Sequence, residues 1–466
     1  MVYDVIIVGA GPSGIFTALE LTEKVPALKV LLLERGPSIK DRSCPMNEKG
    51  VCIFCKPCQV LSGFGGAGAF SDGKLTFSQD VGGHLSRYLP AQELEILSQK
   101  VENTYLKFGA PAERVYGLDS EATLEWEKKI SVAGMKFTPM KIRHLGTDNA
   151  YKISAAMQDY LSQNLDFLDK TAVKEIMVEE GKVVGVITEK GEEFKAKYVV
   201  LAPGREGSSW IQKEAHRLNL HLERNPVDIG VRVEVEAPVL EHLTDIFYEI
   251  KLQRYSKPFE DKVRTFCMCP HGEVVQECAD YTITVNGHSY ADKKTRNTNF
   301  AILVSTTFTE PFKDPIGYGR YIARLANLLG GNIIIQRLGD LLSGRRSTVD
   351  RIKNSLVVPT LSTATPGDLS FVLPYRHMTN ILEMLKAFDS IAPGVYSPYT
   401  LLYGVEVKFY SLRMDLSPEL ETKIEGLFAA GDGAGITRGL VQSAVSGIVT
   451  AKSILRREGY ESLNKG

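Results

Sequence analysis

The sequence lacks a strong net charge, a long hydrophobic run and a dense set of cysteines. Its 466 residues include 55 basic and 56 acidic ones, a formal net charge of −1, which gives no electrostatic reason to bind nucleic acid or an anionic membrane. No apolar stretch reaches the roughly 18 residues that a membrane-spanning helix needs. Seven cysteines, four of them close together, do not resemble the disulfide framework of a secreted domain.

These absences predict a cytoplasmic protein with no nucleic-acid partner and no membrane partner. An apolar strand begins at residue 3, so no signal peptide fits in front of it. The apolar fraction of 44% is ordinary and is sufficient for large cores in two or three domains.

A glycine-rich turn connects a strand to a helix at the start of the chain. The apolar residues 3–8 predict a buried parallel strand, and a second one, residues 30–33, ends in Glu34. Three glycines in the order G-x-G-x-x-G follow the first strand: Gly9, Gly11 and Gly14. In such a unit the first glycine permits a tight turn, the second lets the backbone approach a pyrophosphate, and the third lets the helix pack on the strand. The pattern therefore predicts a dinucleotide site.

Residues next to these glycines are expected to contact the same ligand. The sequence predicts a helix from Ile15, just after Pro12 and Ser13, and its free N–H groups and positive dipole end would hold the diphosphate. Glu34, with Arg35 beside it, would accept both hydroxyls of an adenosine ribose, and its charge would repel a 2′-phosphate. We therefore expect all four residues to bind the cofactor.

The middle of the chain predicts a β-meander and a second domain. Residues 37–90 form a long irregular segment rich in Gly, Cys and Ser, and such a long loop is usually functional. Three short strands between residues 172 and 197 lead into an apolar strand that ends at Gly204. Residues 213–395 alternate strands with helices, which favours an inserted domain that supplies the substrate side of a cleft.

A segment near the C-terminus favours FAD over NAD. A short apolar strand ends in Gly431 and Asp432, and a helix begins after a turn at Gly439, Leu440 and Val441. Asp432 would accept a ribityl hydroxyl or organise water at the diphosphate. The start of the helix would point its dipole at the N1–C2=O region of a flavin. NAD enzymes do not need this second element, so FAD is the predicted cofactor.

These motifs together resemble a known superfamily. The resemblance to the FAD-binding glutathione-reductase-like superfamily is carried by Gly9, Gly11, Gly14, Glu34, Gly204, Gly431 and Asp432. More narrowly, residues 63–75, 266–270 and 433–439 resemble a family of uncharacterised FAD-dependent dehydrogenases. The likeness extends over essentially the whole chain. One departure is His271-Gly272, where two glycines are expected.

The resemblance implies an α/β fold, in which an FAD-binding Rossmann-like domain with a β-meander carries an inserted α+β substrate domain. The FAD-binding domain would comprise residues 1–212 and 396–466, and the substrate domain residues 213–395. The superfamily pattern also implies that the backbone of Val173 holds the adenine. It implies redox chemistry with FAD but no particular substrate.

A second glycine-rich segment, residues 63–74, is expected at the flavin. Its small side chains let backbone N–H groups approach a large planar ligand, and Gly66 and Ser71 are its candidate cofactor-binding residues. Lys74 is a candidate catalytic residue that would raise the flavin potential by stabilising added negative charge. The alternative is an ordinary surface lysine.

The first group of cysteines has the spacing C-x7-C-x2-C-x2-C. It consists of Cys44, Cys52, Cys55 and Cys58. The last three match the start of a ferredoxin run, so the four thiolates would hold an iron–sulfur cluster, or they would close a tetrahedral zinc site. Four thiols without metal are the third alternative.

The second group contains Cys267, Cys269 and Cys278. Cys269 is the candidate nucleophile or proton donor, because a thiol near a flavin and a histidine can have a lowered pKa. The alternative is a core strand in which alternation places Cys267 and Cys269 on one face.

The sequence as a whole predicts an FAD-dependent oxidoreductase. Hydride would pass between flavin N5 and a small-molecule substrate, and either NAD(P)H or a protein would be the electron donor. The rival interpretation is a flavin and iron–sulfur electron carrier, or a thiol redox sensor, without small-molecule turnover.

Overall fold

A computed structural model describes residues 2–46, 52–279, 282–308 and 314–460. Its strands are β1 (Val2–Val8), β2 (Val30–Leu33), β3 (Lys74–Phe77), β4 (Val115–Tyr116), β5 (Lys136–Phe137), β6 (Lys141–His144), β7 (Asp166–Leu168), β8 (Val173–Glu179), β9 (Lys182–Thr188), β10 (Glu193–Leu201), β11 (Leu222–Glu223), β12 (Val227–Glu236), β13 (Leu252–Tyr255), β14 (Lys262–Cys269), β15 (Glu273–Ala279), β16 (Thr282–His288), β17 (Asn297–Thr306), β18 (Ile334–Arg337), β19 (Thr365–Pro366), β20 (Leu401–Lys408), β21 (Arg413–Met414) and β22 (Leu427–Ala429).

The helices are α1 (Pro12–Lys24), α2 (Ala91–Lys107), α3 (Ser120–Val132), α4 (Thr147–Leu161), α5 (Ser208–Arg217), α6 (Glu241–Phe247), α7 (Pro315–Gly330), α8 (Leu338–Leu342), α9 (Val349–Lys353), α10 (Tyr375–Asp389) and α11 (Leu440–Arg457). Among the described residues, no helix combines the length and the apolar character that crossing a membrane requires.

The chain divides into two compact units. The first comprises Met1–Glu113, His144–Asn225 and Tyr410–Gly466, and the second comprises Arg114–Arg143 and Pro226–Phe409. The segment from Arg114 to Arg143, which the sequence had assigned to the nucleotide domain, thus belongs to the second unit, where β5 pairs with β13. The predicted boundaries of an FAD-binding domain and a substrate domain stay a prediction.

The first unit contains a mostly parallel sheet. The strand order is β7-β2-β1-β10-β9-β8, and β22 also pairs with β10. The strands β7, β2, β1, β10 and β22 run parallel, while β8, β9 and β10 form the antiparallel meander. Their apolar runs are buried because helices, among them α1 and α11, pack around them. The predicted fold class, an α/β Rossmann-like fold with a meander, is confirmed.

The second unit contains an eight-stranded sheet with the order β19-β18-β20-β12-β17-β14-β13-β5. Alternation along β12 gives the sheet two different faces. Ile229, Val231 and Val233 belong to an apolar cluster that includes residues of α7 and α10. Arg232 and Glu234 occupy the opposite face and are nevertheless buried.

Candidate cofactor-binding site

Three turns meet at one edge of the parallel sheet in the first unit. The ends of β1, β10 and β22 are aligned in register, since Val8 pairs with Leu201 and Leu201 pairs with Ala429. The turn that follows each strand therefore emerges at the same edge. These turns carry Gly9, Gly204 and Gly431, which the sequence had predicted for the cofactor.

Close packing explains why two of these turns begin with glycine. Gly9 has a φ of +106°, and a Cβ there would collide with the carbonyl oxygen of Ala202. Gly431 has a φ of +77°, and its Cβ would collide with Oγ of Ser13. Residues other than glycine rarely adopt such positive φ angles. The N-terminal and C-terminal glycine turns are therefore in direct contact.

Gly11 is different, because its backbone has an ordinary φ of −81°. The nearest atom to a Cβ at this position would be Cα of Gly66, at 3.9 Å. Neither the backbone angle nor the packing of the protein requires glycine at this position. The lack of a side chain at Gly11 therefore leaves open space in which a ligand can approach the backbone. A diphosphate that approaches the start of α1 fits this arrangement.

A cavity in the first unit lies beside the start of α1. Pro12, Gly65, Gly68 and Leu440 are among the residues that line it. They come from the first glycine turn, the second glycine-rich segment and the start of α11, three parts of the chain that the sequence had assigned to the cofactor. The donor set of small residues and backbone N–H groups fits a dinucleotide.

Glu34 has three hydrogen-bond partners in the backbone. Its carboxylate accepts from the N–H groups of Ala10 at 2.8 Å, Gly36 at 2.8 Å and Gly63 at 2.9 Å. The side chain is buried and thus connects the first glycine turn to the second glycine-rich segment. Its predicted contact with an adenosine ribose stays a prediction.

Arg42 fixes the second glycine-rich segment, although no sequence pattern predicted this role. The buried guanidinium donates to the carbonyl oxygens of Gln59, Val60, Phe64 and Gly66, at 2.6 to 2.9 Å. Burial lowers its pKa to about 10, although the nearby Glu34 carboxylate opposes this shift. No local pattern marks this residue, because its partners lie about twenty positions along the chain.

Arg35 and Ser71 also hold this segment in place. Arg35 donates to Oγ of Ser62 through Nε and Nη2, at 3.1 and 2.8 Å. Oγ of Ser71 donates to the carbonyl oxygen of Gly68 at 2.8 Å. The predicted cofactor contacts of Arg35 and Ser71 are therefore additional to structural roles and stay predictions.

Asp432 organises the start of α11. Its Oδ1 accepts hydrogen bonds from the hydroxyls of Thr437 and Ser443, each at 2.8 Å. Its Oδ2 lies 3.6 Å from Nε of Arg205, the residue after Gly204. The carboxylate thus joins two of the three turns, and its predicted contact with the ribityl chain stays a prediction.

The segment before α11 carries a second feature that no sequence pattern predicted. The guanidinium of Arg438 lies 3.6 Å above the ring of Tyr410, and its Nη2 is 3.4 Å from Nε2 of His84. Burial, followed by the charges of Arg438, Arg87 and Arg413, lowers the pKa of His84 to about 4. His84 is therefore neutral at pH 7 next to a cationic side chain.

Lys74 is not a surface lysine, which corrects one of the two alternatives. Its side chain is 8% exposed, and Nζ forms an ion pair with Asp72 Oδ2 at 2.9 Å. Its predicted catalytic role stays a prediction.

The remaining predicted cofactor residues lie at the ends of secondary-structure elements. Val173 begins β8 and is buried, and its predicted contact with adenine stays a prediction. Gly439 precedes α11 with a φ of +106° and open space beside it, while Val441 is buried in the core of the first unit.

The four cysteines of the long loop do not form a compact metal site among the described residues. Cys44, Cys52, Cys55 and Cys58 are partly exposed thiols. No three of them bring their sulfur atoms within 4.8 Å of one another. The iron–sulfur cluster and the zinc ion thus stay predictions without a geometric basis in this part of the chain.

Cys269 lies in the second unit, and its surroundings differ from the expected alternation. A bulge between Phe266 and Cys269 shifts the register of β14 against β17. Cys267, inside the bulge, has a φ of +46°. The Sγ atoms of the two cysteines lie within 4.8 Å of each other, but a bulge interrupts the regular alternation between them. The predicted catalytic role of Cys269 stays a prediction.

Two family models match parts of the chain. Residues 227–409 match the family described as "FAD-dependent protein, C-terminal domain-like", and these residues correspond to the long segment of the second unit. Residues 145–223 match "Glucose inhibited division protein A" and lie in the first unit.

Related proteins and structures resemble the chain over most of its length. An uncharacterised protein of Clostridium beijerinckii is 26% identical over 482 positions, which cover 97% of this chain and 80% of that protein. The L-amino acid deaminase of Proteus vulgaris has 14% identity and a TM-score of 0.41, with 97% of this chain and 94% of that chain covered. Glycine oxidase of Geobacillus kaustophilus has 16% identity and a TM-score of 0.40, with 98% of this chain and 95% of that chain covered. The match to a family described as FAD-dependent and the three convergent turns together support FAD as the cofactor.

Proposed function

We propose that the chain transfers hydride between flavin N5 of a bound FAD and a small-molecule substrate. The observation that carries this proposal is the meeting of three glycine turns at one edge of the parallel sheet. Two of these turns come from opposite ends of the chain, and Gly431 contacts Ser13 directly. A site that needs both ends suits a ligand longer than a simple diphosphate.

The protein residues bind and orient the cofactor in this proposal. The start of α1, at Pro12 and Ser13, and the space beside Gly11 hold the diphosphate. The start of α11, with Gly439, Leu440 and Val441, faces its positive dipole end toward the flavin. Bound FAD supplies hydride transfer, which the protein side chains cannot perform by themselves.

Lys74 is proposed to tune the flavin from a buried ion pair. Asp72 holds its ammonium group in place, and a fixed positive charge near a flavin favours the reduced, anionic form. A Lys74→Met variant should therefore lower the midpoint potential of the bound flavin, whereas Lys74→Arg should retain most of it. A potential that is equal in all three proteins would contradict this role.

The first experiment asks whether FAD is bound. Protein purified without added flavin should contain close to one FAD per chain, and the apoprotein should take up FAD in preference to FMN. Asp432→Asn should weaken FAD binding, while Asp415→Asn, an exposed aspartate of the same unit, should not. Colourless protein that does not take up FAD would refute the proposed function.

The second experiment asks whether the bound flavin turns over. Anaerobic mixing with NADH, NADPH or a reduced protein carrier identifies the electron donor by bleaching of the flavin absorbance. Oxidised enzyme is then tested against amines and C–H donors, and reduced enzyme against activated C=C compounds. Flavin that no small molecule reduces or reoxidises would contradict an enzyme with small-molecule turnover.

A further inference from the structure

The bulge in β14 brings two thiols of the second unit together. Cys267 and Cys269 are separated by one residue, and their Sγ atoms lie within 4.8 Å of each other. The backbone of Cys267 has a positive φ of +46°, which bends the strand locally at the bulge. A disulfide then requires the two Sγ atoms to approach to about 2.05 Å.

A buried arginine contacts both cysteines. Nη2 of Arg232 donates to the carbonyl oxygen of Cys267 at 2.6 Å and to Sγ of Cys269 at 3.2 Å. The guanidinium is fully buried, and a Cβ on Gly287 of the hairpin β15–β16 would overlap it. Arg232 is therefore held against Cys269, where its charge stabilises a thiolate.

Other charges keep this arginine ionised. Nη1 of Arg232 lies 3.3 Å from Oε2 of Glu406, and Oε1 of Glu406 lies 3.1 Å from Nζ of Lys408. Burial opposes the charge, but Glu406, Cys269 and Cys267 raise the pKa of Arg232 above its usual value. The positive charge beside Cys269 is thus a fixed feature of the second unit.

The two cysteines differ in accessibility. Cys269 is fully buried, whereas Cys267 is partly exposed. A reagent in solution therefore reaches Cys267 first, and Cys269 is positioned to react with whatever forms on Cys267. The third cysteine of the second unit, Cys278, is also partly exposed but lies on a different strand, β15.

We propose that Cys267 and Cys269 are a reversible dithiol–disulfide pair that exchanges two electrons with a low-molecular-weight disulfide. This redox site goes beyond the proposed flavin reaction, because it needs no electron from the flavin. Cys267 is the attacking residue and Cys269 the resolving residue, as their exposure dictates.

The reaction consists of two exchange steps. The thiolate of Cys267 attacks one sulfur of the external disulfide, forms a mixed disulfide and releases one thiolate. The thiolate of Cys269 then attacks the sulfur of Cys267 and releases the second thiolate. Two external thiols form after protonation, the two cysteines are oxidised by two electrons, and the external disulfide is reduced by two electrons.

The test uses the full chain as purified, reduced and then exposed to glutathione disulfide. The mass of the peptide that carries Cys267 and Cys269 should fall by about 2 Da, the two hydrogens lost on disulfide formation, whatever forms on the other partly exposed cysteines of the chain. Cleavage after glutamate cuts at Glu273 and separates Cys267 and Cys269 from Cys278, so the disulfide can be located. A thiol reductant should restore the original mass.

Single variants separate the two roles. Cys269→Ser should accumulate one glutathione on Cys267, because the resolving thiol is missing. Cys267→Ser should leave Cys269 unmodified in the folded protein. Cys278→Ser, the control, should form the disulfide like the original protein, and attachment to Cys278 should be at least about tenfold slower than formation of the 267–269 disulfide.

Three results would overturn the proposal. The first is the absence of a 267–269 disulfide under conditions in which Cys278 is modified. The second is a Cys269→Ser variant without an adduct on Cys267, and the third is a Cys267→Ser variant that is modified on Cys269 as fast as on Cys278. Flavin content and flavin reduction do not enter these measurements, so failure of the redox pair is distinguishable from failure of the proposed oxidoreductase.

Discussion

The two units use polar groups in opposite ways. In the first unit the candidate site is built largely from backbone: three glycine turns and the first residues of two helices, at one edge of a parallel sheet. In the second unit charged side chains, among them Arg232 and Glu406, are buried on one face of a sheet. A site built from backbone turns uses residues that are adjacent in the sequence. A site built from side chains on several strands uses residues that are far apart in the sequence.

The second unit has another buried polar group beside the arginine. Glu234, two residues along β12, is fully buried and accepts hydrogen bonds from Oγ1 of Thr360 at 2.5 Å and from the hydroxyl of Tyr403. Burial raises the pKa of Glu234, although both hydrogen bonds oppose that shift. Burial, followed by Glu234, raises the pKa of Tyr403. A buried polar network in which every group is hydrogen-bonded stabilises one arrangement of the side chains. Loss of one member leaves its partners buried without hydrogen bonds and destabilises the fold.

The two tryptophans allow the units to be compared within one protein. Trp126 lies in the second unit and Trp210 in the first. A Trp210→Phe background reports unfolding of the second unit by fluorescence, and a Trp126→Phe background reports unfolding of the first. Measurements on apoprotein avoid quenching by flavin.

The largest effect is expected for Arg232→Met. The substitution leaves the Glu406 carboxylate without its guanidinium partner and removes the hydrogen bonds to Cys267 and Asn299. Breaking a buried pair in this way should lower the free energy of unfolding by about 3–5 kcal/mol. Urea unfolding followed through Trp126 measures the change.

Two further variants test the cause of that loss. Lys293→Met removes an exposed ion pair with Glu273 in the same unit and should cost less than about 1 kcal/mol. Adding Glu406→Gln to Arg232→Met should recover part of the stability, because the buried carboxylate that lost its guanidinium partner and keeps only Lys408 is then neutral. A double variant no more stable than Arg232→Met would contradict the buried pair as the cause.

The strands and turns that carry the candidate backbone site could be predicted from the sequence, whereas the buried charged cluster of the second unit could not, for a physical reason. Strand, glycine turn and helix are consecutive, so periodicity and G-x-G-x-x-G identify them, and the strands predicted between residues 172 and 197 include the observed β9. The partners of Arg232 come from β14, β17 and β20, and no local pattern connects them. The bulge at Cys267 likewise has no side-chain signature.

Acid should distinguish the units by way of their buried histidines. His377, in the second unit, is buried, and Nε2 lies 3.0 Å from Oγ1 of Thr306. Burial lowers its pKa to about 4 from 6.5, with Asp261 opposing and Arg376 adding to the shift. Because the folded state binds the proton more weakly, stability is retained above pH 6.5 and lost as the pH falls toward 4.

The loss attributed to His377 should reach up to about 3 kcal/mol at pH 4. His377→Gln should remove this pH dependence from the Trp126 signal, whereas His216→Gln, an exposed histidine of the first unit, should not change it. His84 also has a pKa of about 4, but it is half-buried, so solvent screening makes its contribution to the first unit smaller. An unaltered acid profile in His377→Gln would rule out this histidine as the cause.

A smaller effect is expected for Glu34→Gln in the first unit. The carboxylate accepts three backbone N–H bonds, and the amide NH₂ of Gln would face at least one of these donors. The apoprotein should lose about 2 kcal/mol of stability, measured through Trp210. Glu425→Gln, at an exposed ion pair of the same unit, is the control and should lose almost nothing. Equal stability of the two variants would show that the three bonds do not hold the glycine turns.

The smallest change in stability, with a large change in binding, is expected for Gly11→Ala. Because its φ is ordinary and the nearest atom to the new methyl is 3.9 Å away, the apoprotein should lose less than about 1 kcal/mol. FAD affinity should nevertheless fall at least about tenfold, since the methyl occupies the space through which a diphosphate approaches the backbone. Gly191→Ala, in open space in the same unit, should bind FAD normally. Unchanged affinity in Gly11→Ala, measured by FAD titration of apoprotein, would mean that this backbone turn does not hold the diphosphate, and the contrast between a backbone site and a side-chain site would lose its basis.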